Sequence, residues 1–152
     1  MESLRIERKD IYTIEVNDNG DTIEFDILDI ELPFKCDRAF REVAKVENDL
    51  RAKLVIIDKK QDHPIKGASM TANEEARLKA YKDAFLGMRA AMDSFLGDGA
   101  CQKIFGDRNY IEMFTDLAEA LAPHMEKMQL NSEGIRKRIK DKYGKQDDGV
   151  LR

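Results

Sequence analysis

Residues 11–30 read IYTIEVNDNGDTIEFDILDI, and this stretch separates an α+β chain from an all-helical one. Tyr12, Ile14 and Val16 alternate with Ile11, Thr13 and Glu15. Beyond Asn17-Asp18-Asn19-Gly20-Asp21, Ile23, Phe25 and Ile27 alternate with Thr22, Glu24 and Asp26. A period of two marks a strand with one covered face. Asn19-Gly20 lies between the runs, and both residues tolerate the positive φ of a type I′ turn. A two-residue turn there pairs Asp18 with Asp21, Val16 with Ile23, Ile14 with Phe25 and Tyr12 with Ile27. That register puts the apolar side chains on one face. A lone hairpin is marginal in water, so this face is expected on helices or on a second copy. An EF-hand alignment on Gly20 fails, because Asp26 stands where a bidentate glutamate is needed and both flanks are strands.

The rest of the chain carries helical periods. Pro33 is expected to end the β region and Asp37 to cap a helix over about 37–60. Its apolar face is Cys36, Phe40, Val43, Leu50, Leu54 and Ile57, at steps of three and four or their sum. Glu47 holds a position in this series that should be apolar, so neighbouring Val46 is expected to turn inward. Gln61 to Ser69 reads as a loop. Thr71 with Glu74 forms a capping box opening a helix over about 71–97. Leu78, Tyr81, Phe85, Met88, Met92 and Phe95 make a heptad seam on it, broadened by Ala84 and Ala91. Asp98 to Gly106 is a short helix or turn. A helix over about 109–122 follows, with Tyr110, Ile111, Phe114, Leu117, Ala118 and Leu121 on one face and Pro123 as its break. A last helix spans about 132–143, capped at Asn131 or Ser132 and containing Ile135, Ile139 and Tyr143. The fold class is therefore α+β, mainly α-helical: an N-terminal hairpin at 11–30, then four to five helices. Residues 1–144 read as a single domain and 145–152 as a loose tail.

Composition narrows the function classes. At 152 residues the chain can bury a core without disulfides or metal. The net charge of −4 argues against nucleic acid as a partner. Cys36 and Cys101 are far apart and the histidines, His63 and His124, are isolated, so the ligand set of a structural zinc site is missing. The thiols read as buried groups of a reducing cytosol. The N-terminal residues carry no apolar core segment for a signal peptide, and no run approaches a membrane span.

No catalytic constellation is expected. Leu96-Gly97-Asp98-Gly99-Ala100 lacks the lysine and hydroxyl ending of a phosphate loop. Asp93, Asp98 and Asp107 have no spacing that forces two carboxylates together, and Ser69 and Ser94 lack a nucleophile motif. The basic run of Arg136, Lys137, Arg138, Lys140, Lys142 and Lys145 suits a helix C-terminus, where cations favour the dipole. Met88, Met92, Met113, Met125 and Met128 lie on or beside helical faces. Methionine fills cores, and it also serves surfaces that repack around a partner.

The order of hairpin, two helices, Lys103-Ile104-Phe105-Gly106, Asn109-Tyr110-Ile111-Glu112-Met113-Phe114-Thr115-Asp116-Leu117 and a basic last helix resembles the small tail assembly chaperones of long-tailed phages and prophages of Gram-positive bacteria. The resemblance covers roughly residues 10–144. It implies a helical, non-enzymatic protein of the bacterial host cytoplasm, without cofactor or metal. It further implies binding to the long helical tape-measure protein, keeping it soluble while the tail tube assembles, with the major tail protein as a second candidate partner. The expected partner-binding residues are Phe85, Met88, Met92, Phe95, Phe105 and Phe114, with Met88 and Met92 as contacts shared in a homo-oligomer. The alternatives are a small nucleic-acid-binding or regulatory protein using the basic C-terminal helix, and a structural virion protein.

Overall fold

The computed structural model describes residues 1–130 and 132–143. Strands β1 (Ile11–Glu15) and β2 (Thr22–Asp26) form an antiparallel hairpin. Helices α1 (Leu32–Asp58), α2 (Ala72–Leu96), α3 (Ala100–Phe105), α4 (Met113–Lys127) and α5 (Ser132–Tyr143) follow. The fold is α+β and mainly helical, as the patterns require. The expected cap at Asn131 and the expected tail at 145–152 lie outside the described residues, as do the side chains of Ser132, Ile135, Ile139 and Tyr143, whose backbone belongs to α5.

The hairpin keeps its expected faces but slips in register by two. Ile14 pairs with Ile23 and Tyr12 with Phe25, instead of with Phe25 and Ile27. Asn17 is the cause. Its Oδ1 accepts from the amides of Asn19 (2.9 Å) and Asp21 (3.2 Å), and its Nδ2 donates to Asp21 Oδ2 (2.7 Å). The Gly20 amide donates to the Asn17 carbonyl, and the Val16 amide to that of Asp21. These bonds close a four-residue loop, Asn17–Gly20, in which only Gly20 has a positive φ, of 82°. A type I′ turn needs two such residues. Because side chains alternate with period two, a slip of two leaves Ile23 and Phe25 on the core side, where both are buried.

Helix α1 begins at Leu32, five residues before the expected cap. Pro33 lies in its first turn, where a missing N–H has no intrahelical partner to lose. Leu32, Cys36, Ala39, Val43 and Ile57 form its buried stripe. Val46 does turn inward. It packs on the core and would meet a Cβ placed on Gly87 of α2 at 3.6 Å. Among the described elements α1 packs most extensively on α2, and Gly87 is where those helices gain room for Val46.

The connection between α1 and α2 is tied at both ends. Arg77 of α2 holds Asp58 at the end of α1 with contacts of 2.6 and 2.7 Å. Asp62 accepts from the backbone amides of His63 and Asn73, both at 2.9 Å. The Asn73 amide, before the other donors, holds the Asp62 carboxyl below its usual range. Helix α2 then opens on the expected capping box, with Thr71 and Glu74 bonding reciprocally.

Helix α4 departs from its expected span at both ends. It starts at Met113, because Tyr110–Glu112 form a turn closed by the Met113 amide on the Tyr110 carbonyl and by Tyr110 Oη on Asp116 Oδ2 (2.8 Å). It continues through Pro123 to Lys127. The proline sits on the exposed side, and the carbonyl it leaves without an N–H belongs to exposed Glu119. Water can take that carbonyl, so the helix need not stop. Two residues expected on apolar faces are instead exposed: Leu78 of α2 at 55% and Ile111 before α4 at 68%.

Both cysteines are free and buried. Burial, the larger effect, and then Asp37 push the Cys36 thiol up to about 11. Burial and then the bond to Asp93 push Cys101 up to about 12. A thiol ionises more readily in the unfolded chain, at about 9. The folded state therefore holds these protons more tightly, and that contribution is complete below pH 9 and lost as pH rises towards 12. Two results are expected: thiol labelling at pH 8 is slow until denaturant is added, and urea midpoints fall with rising pH above 9. Rapid stoichiometric labelling of the native protein contradicts this.

Candidate binding groove

Helices α1 and α4 line a trough over α2, with the start of α4 facing Glu47–Leu54 of α1 and its end facing Phe40. Three adjoining depressions make it. The first, about 340 Å³, is lined by Leu50, Arg51, Leu54, Tyr81, Phe85, Met88, Ile111 and Glu112, together with Glu47, Phe114 and Thr115. The second, about 270 Å³, shares Glu47, Phe114 and Thr115 and adds Phe40, Val43, Ala44, Met92 and Ala118. The third, about 510 Å³, shares Phe40 and Ala118 and ends at Ala122, Met125, Glu126 and Leu130. From Phe40 to Leu54 the α1 wall is fourteen helical steps, about 21 Å at 1.5 Å per residue.

The walls follow from helical spacing. On the α4 side Ile111, Thr115, Ala118, Ala122 and Met125 step by four and three. This is a second stripe, beside the buried stripe of Met113, Phe114, Leu117 and Leu121. On α1 the wall is Phe40, Ala44, Glu47, Leu50, Arg51 and Leu54. Small residues (Ala44, Thr115, Ala118, Ala122) line the middle, where they leave space for a third backbone. The floor is α2, through Phe85, Met88 and Met92. An aromatic chain braces it: Tyr81 to Phe85 at 6.2 Å, Phe85 to Phe114 at 6.4 Å, Phe114 to Phe105 at 6.1 Å, and Phe105 to Tyr110 at 6.2 Å. Arg89 clamps the loop below. Its Nη2 donates to the carbonyls of Gly106 (2.9 Å) and Arg108 (2.8 Å), and its Nε to Asn109 Oδ1 (2.8 Å). This explains why Lys103-Ile104-Phe105-Gly106 and Asn109 read as packing and turn residues.

The residues expected to bind a partner thus divide. Phe85, Met88, Met92 and Phe114 come together as floor and wall of the groove. Phe95 does not join them; it packs under the hairpin with its ring tilted against Phe25 at 5.3 Å and Phe40 at 6.5 Å. Phe105 lies behind the wall. Met88 and Met92 are the pair expected to be shared between two copies. Both are buried by their own chain, Met92 to 1%, because α1 and the hairpin already cover the seam. What sequence reasoning missed is the α4 stripe. Its signal, apolar or small residues at 111, 115, 118, 122 and 125, was there to be read.

The rim is charged, with Arg51, Glu112 and Glu126. Glu47 is half-buried at the centre, and its carboxylate meets no hydrogen-bond donor or cation among the described residues. Elsewhere, His124 bonds Tyr12 Oη through Nδ1 at 2.8 Å, fastening the hairpin to the end of α4. Among the described residues no three His, Cys, Asp or Glu side chains gather to hold a metal. No described helix is long and apolar enough to cross a membrane.

Fold and groove define a mainly helical α+β domain whose hairpin and helices α1–α4 enclose a core beside an open, helix-length trough. The chain belongs to the family described as Family of unknown function (DUF6673), whose model matches residues 19–148. No curated protein and no solved structure matches it.

Proposed function

We propose that this protein is a non-enzymatic assembly chaperone of phage or prophage tails, acting in the bacterial cytoplasm by holding amphipathic helical segments of the tape-measure protein in the groove between α1 and α4. The groove is the observation that carries the reading. It is long enough for four helical turns, apolar along its floor, small-walled in the middle and charged at the rim. Those are the properties of helix-in-groove recognition, where the i, i+3, i+4 and i+7 anchors of a guest helix enter a trough. The resemblance of layout to tail assembly chaperones supplies the identity of the guest. A tape-measure helix exposes apolar stripes that aggregate when uncovered, and covering them needs no chemistry. Glu47 adds a preference: a guest that buries this carboxylate offsets the cost by presenting Lys, Arg or another donor to it.

Co-expression tests the proposal. A long helical tape-measure protein encoded beside this gene is expected in the pellet when expressed alone. It is expected in the supernatant, bound to this chain, when the two are expressed together. A tape-measure protein that stays insoluble with a folded excess of this chain overturns the proposal.

A further inference from the structure

The second apolar surface lies away from the groove, and its reading is independent of the groove's function. Between the end of β2 and the first turn of α1, Leu28, Ile30 and Phe34 are 56%, 79% and 62% exposed. Three carboxylates, Asp26, Asp29 and Glu31, flank this patch against one cation, Lys35, which reaches Asp29 at 3.9 Å. The N-terminal arm has the opposite character. Leu4 and Ile6 are each 87% exposed, and residues 4–9 hold Arg5, Arg8 and Lys9 against Glu7 alone.

The arm does not cover this patch in its own chain. Asp10 takes a left-handed φ of 48° where the arm meets β1. Arg8 reaches Glu24 at 3.4 Å, and Glu24 points to the solvent face of β2, between buried Ile23 and Phe25. The arm is thereby drawn over the polar side of the hairpin, and its apolar pair projects outward. Leu28 and Ile30 lie in the turns closed by the Asp29 amide on the Asp26 carbonyl and the Leu32 amide on the Asp29 carbonyl, and both side chains are offered to solvent there.

We propose that the arm of one copy docks on the Leu28–Ile30–Phe34 patch of a second copy, with the exchange made reciprocally about a two-fold axis. Cations of the arm meet the carboxylates beside the patch, and the apolar pairs leave water together. A two-fold arrangement uses each arm and each patch once and closes at two chains.

Light scattering on the full chain across a dilution series tests this. The wild type is expected to approach twice the 17.4 kDa chain mass at the concentrated end. The double variant Leu4→Asp/Ile6→Asp and the single variant Phe34→Asp are each expected to stay at the chain mass, with unchanged circular dichroism since all three residues are exposed. Should Phe34→Asp fail to fold, Ile30→Asp reports on the same patch. Leu86→Asp, exposed on α2 outside the patch, is expected to dimerise like the wild type. Mixing the arm variant with the patch variant restores one intact arm–patch pair and is expected to raise the average mass above either alone. A monomeric wild type overturns the proposal. So does an arm variant that dimerises normally while Phe34→Asp does not, because that result means the patches pair face to face without the arm.

Discussion

Met92→Glu is expected not to fold. Met92 is 1% exposed at the centre of the core, where it shares a cluster with Val43, Met88, Phe95 and Phe114 and forms part of the groove floor. Of the side chains lining that part of the groove none is a cation, one is the carboxylate of Glu47, and Thr115 alone carries a donor. Burying a carboxylate there ionised and unpaired costs several kcal/mol, and burying it protonated still leaves a polar group without a partner. Domains of this size are stable by only about 5–15 kcal/mol, and the lost packing adds to the deficit. Met92→Leu keeps volume and polarity and is expected to cost less than about 1.5 kcal/mol. Urea unfolding followed by circular dichroism distinguishes them. A cooperative Met92→Glu transition within about 1 kcal/mol of wild type would show that the side chain escapes to water, and the position assigned to α2 would be wrong.

The second large effect is on binding. Ala118 is half-buried in the wall of α4 and Ala122 is exposed one turn further on; both line the trough. The double variant Ala118→Arg/Ala122→Arg fills the middle of the groove with two long cationic side chains. Neither position is in the core, so the melting temperature is expected to hold within a few degrees. Affinity for the tape-measure segment is expected to fall about 100-fold, about 2.7 kcal/mol, which is the loss typical of disrupting a central contact cluster. Ala90→Arg, on the exposed side of α2, is expected to bind as the wild type does. Titration calorimetry with a soluble tape-measure fragment measures all three. Equal affinities for the two arginine variants would remove the groove from the account.

Much of this fold was legible from residue order. The two faces of the hairpin, the capping box at Thr71 and Glu74, and the inward turn of Val46 all follow from period and local chemistry. The errors have local physical causes. The register slipped because an Asn17 side chain outcompeted a two-residue turn, and period alone cannot distinguish a slip of two. Pro33 and Pro123 read as breaks, yet one sits where no N–H is needed and the other where water satisfies the orphan carbonyl. The seam of Phe85, Met88, Met92 and Phe95 announced that something covers it. Whether the cover is α1 or another chain depends on contacts between residues tens of positions apart. The groove was hidden for the same reason: Phe40–Leu54 and Ile111–Leu130 come together only in the fold. Glu47 stood out in the sequence as a misfit among apolar residues, and in the structure it lies at the centre of the trough.

The most direct test of the groove as the guest site is a photo-crosslinking amino acid placed at position 118 in one variant and at position 90 in another, each co-expressed with the tape-measure protein. The account predicts an adduct from position 118, mapping to an amphipathic helical segment of the tape-measure protein, and none from position 90. An adduct from position 90 with none from position 118, while the two proteins still co-purify, would contradict it.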